Sequence, residues 1–129
     1  MLPPHSRLRS SAEIGLVRQR GQRWQHPLMV LFVYSQPQPT SSVSRFAIAV
    51  GRHIGKAARR NKVKRRLREV LRHHLHKLAP GYDCLIVARS GTVEANYREL
   101  ESALLQLLIR SKVLIDEPGD SAEVDGSLS

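Results

Sequence analysis

The stretch "RFAIAVGRHIGKAARRNKVKRRLREVLR", Arg45 to Arg72, decides the fold. It opens as a strand. With Val43 included, Arg45, Ala47 and Ala49 fall on one face and Phe46, Ile48 and Val50 on the other. From Gly51 onward ten of 22 residues are Lys or Arg, and only Glu69 opposes them. At about 100° per residue with Val63 at 0°, Leu67, Val70, Leu71, His74 and Leu78 lie between about −20° and 80°. That is a core face. Asn61, Arg65, Arg68 and Arg72 fall at roughly 140–200°, pointing straight away from it. Lys64 flanks this stripe on one side, Lys62 and Arg66 on the other.

A helix needing only solubility alternates its charges. This one carries like charges at i,i+3 and i,i+4, which oppose helix formation by a few tenths of a kcal/mol per pair, roughly. The counter-charge must come from outside the chain. Arg59 and Arg60 sit in the first turn, where positive charge opposes the macrodipole, and backbone amides near Gly55 and Lys56 suit a phosphate there. Turn geometry alone is the competing reason for Gly51 and Gly55.

Outward from this segment the elements are legible. Pro80-Gly81 stops the helix, and "YDCLIVA" follows as a strand apolar on both faces, hence central. Asn96 and Glu99 have capping-box spacing, and Leu100, Leu104, Leu107 and Leu108 give the next helix its stripe. Upstream, Ser10 and Glu13 have the same box spacing, Ile14 and Val17 follow in helical phase, and Gly21 can close that helix. "GQRWQ" and "LMVLFVY" read as strands joined at His26-Pro27, and "SQPQPTSS" as a loop. The order α-β-β-β-α-β-α predicts an α+β domain over residues 1–115, with a sheet packed by helices.

Residues 1–115 hold all 21 Lys and Arg and six acids, a formal +15; residues 116–129 hold five acids and no base, leaving +10 overall. The tail is expected to be disordered and the body to associate with polyanions, nucleic acid first among them. No apolar stretch approaches the ~18 residues of a membrane span. The lone Cys84 excludes an internal disulfide and fits a reducing, cytoplasmic setting. The acid-poor start "MLPPHSRLRSS" leads straight into helical pattern, which argues against a transit peptide. His73, His74 and His76 do not share one helix face, so zinc is not expected. No nucleophile triad, phosphate loop or dinucleotide fingerprint is present.

"IGKAARRNKVKRRLRE" resembles the signature of the bacterial ribonuclease P protein component. Lys56, Arg60-Asn61, Lys64-Arg65 and Arg68-Glu69 match its Lys, Arg-Asn, Lys-Arg and Arg-Glu positions, while Lys62 replaces the Arg after Asn61. "AIAVGRHIG", which includes Arg52, is similar to the family's lead-in, and "RLRSSAEIGLVRQRG" to its opening motif. The likeness covers roughly residues 7–112. It implies a four-stranded sheet with a left-handed β-α-β crossover. It also implies binding of a catalytic RNA through Arg52, Lys56, Arg59, Arg60, Asn61, Lys62, Lys64, Arg65, Arg68 and Arg72. The holoenzyme would remove 5′ leaders from precursor tRNA, with magnesium held by the RNA, no cofactor on the protein, and a monomer in a 1:1 ribonucleoprotein. The leader cleft implied by the family falls on Ile14 and Arg18, where the family has aromatics, with Phe32 and Tyr34 as a second platform and Lys64 nearby. The competing reading is a non-enzymatic RNA-binding protein, such as a ribosomal protein or RNA chaperone. A membrane-surface module is weaker, because the helix's apolar face has only Val, Leu and His.

Overall fold

The computed structural model describes residues 2–37 and 43–114. The acidic segment from Asp116 and residues 38–42 of the Pro- and Ser-containing loop lie outside the described residues.

Helix α1 spans Ser11–Arg20, and Ser10 caps it by accepting the Glu13 N–H at 3.4 Å. Gly21 ends the helix, but with φ −69°, in extended backbone and not in the left-handed form expected of a terminating glycine. Close approach explains the glycine instead, because a Cβ there would collide with the Val17 carbonyl oxygen and press on the Val33 carbonyl. Gly21→Ala should cost about 1–3 kcal/mol, as overpacking does; a thermal melt reads it, and an unchanged melting temperature would refute the close approach.

Strands β1 (Gln22–Gln25), β2 (Met29–Ser35), β3 (Arg45–Ala49) and β4 (Tyr82–Ala88) form one sheet in the order β1-β2-β4-β3. β1–β2 and β2–β4 are antiparallel and β3–β4 is parallel. A parallel pair needs a crossover, and helix α2, Ala57–His73, supplies it. β4 is interior, as its two-sided apolar sequence predicts. Cys84, Ile86 and Ala88 face one layer, Leu85 and Val87 the other.

The larger core lies on the face shared by Met29, Leu31, Val33, Phe46, Ile48, Cys84 and Ile86. It is closed by Val63, Leu67, Val70 and Leu71 of α2 and by the leucine stripe of α3, Tyr97–Arg110. Asn96 and Glu99 make the reciprocal capping box that starts α3. Cys84 is fully buried there, and burial pushes its thiol well above the usual range, so it packs as an inert hydrophobe. α2 is shorter than its periodicity suggests. It stops at His73, a 3₁₀ turn follows at Leu75–Lys77, and Leu78 bridges to Leu114 in place of extending the helical stripe. His74, on the apolar side as expected, is satisfied by Glu101 at 3.2 Å.

Candidate nucleic-acid interface

Two surfaces emerge, on opposite faces of the sheet. The first is the outside of α2. Its inner residues Val63, Leu67, Val70 and Leu71 are at most 3% exposed, so the helix cannot roll, and the opposite stripe is held outward. Asn61, Lys62, Arg65 and Arg72 are exposed, and Lys64 and Arg68 half-buried. Arg65 and Arg68 take no hydrogen bond or salt bridge among the described residues. Arg72 differs, because its guanidinium clasps Glu69 through bonds of 2.8 and 3.0 Å. That clasp lowers the Glu69 carboxyl to about 2. Arg66 turns inward, donating to the Ala95 carbonyl at 3.2 Å.

The helix start is cationic throughout. Lys56 stands at the N-cap without a side-chain cap, and no acid occupies the first turn. Gly55 has φ 139°, a conformation side chains resist, so backbone geometry is a sufficient reason for this glycine. Arg52 lies in a short 3₁₀ turn just before it and is exposed, as is Arg59. Arg60 is half-buried, with its Nε enclosed and without a hydrogen-bond partner.

The second surface is the sheet face under α1. Phe32 and Tyr34 share that face, as their spacing predicts, and are half-buried beside Ile14, Ala47, Ala49 and Val87 around the small cluster of Leu8, Val17 and Leu85. The two alanines leave the β3 side of this face low, so α1 forms one wall of a trough. The Arg18 guanidinium sits 5.9 Å from the Phe32 ring centroid. Arg23, opposite Phe32 in the β1–β2 register, lies at 6.0 Å. Ile14, Arg18, Phe32 and Tyr34 are thus brought together. Lys64 is not among them, because α2 packs on the other face of the sheet. Helical phase defines the face of a helix but not the side of a sheet on which it lands.

Arg45 was missed from sequence. It donates to Asp83 at 3.0 and 2.8 Å and to Glu13 at 3.3 and 3.0 Å, tying α1 to β3 and β4 at one end of the trough. Gln36 adds a bond to Asp83 at 2.9 Å. These carboxylates, Asp83 first, hold the guanidinium above its usual range. The available signal was a charge on an otherwise apolar strand. Arg23 left none. Among the described residues no group of His, Cys, Asp or Glu is placed to hold a metal ion, and no helix is long and apolar enough to cross a membrane.

The geometry offers a cationic helix and a separate trough with aromatic and guanidinium groups, which suits a polyanion bearing flat bases. The family model described as Ribonuclease P matches residues 2–112. The Ribonuclease P protein component of Herpetosiphon aurantiacus is 34% identical over 117 residues, covering 91% of this chain and 93% of its own length. That of Rippkaea orientalis is 36% identical over 120 residues, covering 88% and 91%. The RNase P protein from Thermotoga maritima, solved with 1-(4-fluorophenyl)-2-thiourea, superposes with a TM-score of 0.73 at 30% identity, covering 81% of this chain and 98% of that one. The Staphylococcus aureus RNase P protein shares the fold at a TM-score of 0.77 and 22% identity, covering 84% and 97%. A match that spans the whole folded body, the basic helix included, leaves one conclusion: the chain belongs to the ribonuclease P protein family.

Proposed function

We infer that this chain works as the protein subunit of ribonuclease P, the ribonucleoprotein that matures tRNA at its 5′ end, with the endonuclease activity belonging to the holoenzyme. The observation that carries its RNA role is the single-sign outer stripe of α2, where Arg65 and Arg68 form no ion pair among the described residues. Arg52, Lys56, Arg59, Arg60, Asn61, Lys62 and Lys64 extend that surface, and Arg72 joins it while also holding Glu69. Magnesium held by the RNA supplies the hydrolytic chemistry. This chain's residues bind, orient and screen. Hydrolysis brings two polyanions together, and cationic side chains lower that repulsion, reducing the metal the RNA needs.

The trough under α1 is the proposed leader site, one chain per RNA. Ile14 offers apolar contact, Phe32 and Tyr34 offer stacking faces, and Arg18 pairs with phosphate or extends the stack. Substrates with several leader nucleotides should therefore gain more affinity from the protein than mature tRNA does. Phe32→Ala should remove about 1 kcal/mol of that gain, while cleavage by the bare RNA at high magnesium stays intact. Binding of precursor and mature tRNA to the reconstituted RNA, with and without protein, is the test. Equal gains for both would remove the trough from the mechanism, and cleavage by the protein alone would overturn the assignment.

A further inference from the structure

An open groove of about 450 Å³ runs between α2 and the start of α3, lined by Arg65, Arg66, Arg68, Glu69 and Tyr97. Its size is that of a small-molecule site. Three observations set its chemistry. The Tyr97 ring packs against the core, and its hydroxyl is bonded to His73 Nδ1 at 3.2 Å, so the ring is preset at both ends. Burial raises that hydroxyl, which keeps its proton. Arg66 is pinned to the Ala95 carbonyl, whereas Arg65 and Arg68 have no partner among the described residues. Glu69 is clasped by Arg72 and remains ionised, and an ionised carboxylate only accepts, at about four lone-pair sites.

A duplex backbone lying along α2 needs only the convex cationic stripe. It gains nothing from an aromatic wall, and an ionised carboxylate repels phosphate. A flat group with N–H donors on its edge and anionic groups on either side satisfies Tyr97, Glu69, Arg65 and Arg68, while Arg66 keeps its bond to the Ala95 carbonyl. Unpaired RNA bases are gripped in this manner, stacked on aromatic faces and hydrogen-bonded at their edges. We propose that this groove takes one unstacked nucleotide of the RNA partner, with its base on Tyr97, an amino or imino edge at Glu69, and its flanking phosphates at Arg65 and Arg68. The proposal rests on the reading of α2 as the RNA-contacting helix.

The test uses the reconstituted complex of this chain with a bacterial catalytic RNA. Tyr97→Leu keeps apolar volume but removes the face, and should weaken binding roughly tenfold. The salt slope should stay unchanged, since every cation facing a phosphate is still in place. Tyr97→Phe keeps the face and should retain affinity. Chemical probing of base edges should show one unpaired base protected by the wild-type protein. That base should be exposed again with Glu69→Gln. Wild-type affinity of a folded Tyr97→Leu variant would overturn the groove while leaving α2 in place. Unaltered binding after charge reversal at Arg65 and Arg68 would overturn both readings. Should Tyr97→Leu fail to fold, the probing decides, because absence of any protected unpaired base removes the proposal.

Discussion

Arg45→Ala should lose about 3 kcal/mol of folding stability, the lower end of what breaking a buried ion pair costs. Asp83 is only 6% exposed, and its carboxylate is held by Arg45 through two bonds and by Gln36 through one. Without the guanidinium that carboxylate faces one amide, and Glu13 loses its hold on the sheet. Against a typical total of about 0.05–0.15 kcal/mol per residue, the loss is a large share of the whole. The desolvated carboxylate is the main cost, so Arg45→Met with Asp83→Leu should recover most of it. Urea unfolding measures both, as a shifted midpoint at constant slope. Equal midpoints for wild type and Arg45→Ala would show that water already screens the network.

The second large effect is on binding. Reversing Arg65 and Arg68 to Glu should flatten the log–log salt dependence of RNA affinity by about 0.7–0.9 for each phosphate the helix no longer neutralises. Both side chains leave the stripe's outer side, and neither supports the fold through a partner among the described residues. The variant should therefore melt as the wild type does, or slightly higher, since like-charge repulsion along α2 is relieved. Equivalent reversal at Arg98 on α3 should leave the slope nearly unchanged. A slope equal to wild type in the α2 variant would mean that the RNA docks elsewhere.

Local rules carried the reading of the fold until a distant partner intervened. Asn96 and Glu99 close their box as spacing predicts, because no other side chain competes for Glu99 among the described residues. Ser10 also caps as predicted, yet the Glu13 carboxylate pairs with Arg45, which lies far along the chain. Leu78 is apolar because it packs against the larger core from beyond the helix end, where its backbone bridges to Leu114, and not as part of the helical stripe. The basic face of α2 was readable because period and charge sign coincide in one segment. The trough was half readable. Phe32 and Tyr34 share a face by strand alternation alone, whereas Arg23 over Phe32 requires the hairpin register and Lys64 required the layer order.

The strand at the centre of the sheet is also the last to be synthesised. β4 pairs Met29 with Ala88 and Ser35 with Tyr82 on one side and Arg45 with Asp83 on the other, so both pairings that unite the sheet are long-range. Until Ala88 has left the ribosome, the β1–β2 hairpin is a two-stranded ribbon, marginal by itself in water, and β3 lacks its partner strand. The nascent chain thus carries a completed basic segment whose Val63, Leu67, Val70 and Leu71 have no sheet to cover them. Folding must wait for long-range pairing, which slows it relative to a helical bundle of the same length. During that interval an anionic surface can neutralise the helix but cannot bury its apolar side, which makes the time between Arg72 and Ala88 an aggregation-prone one for the chain.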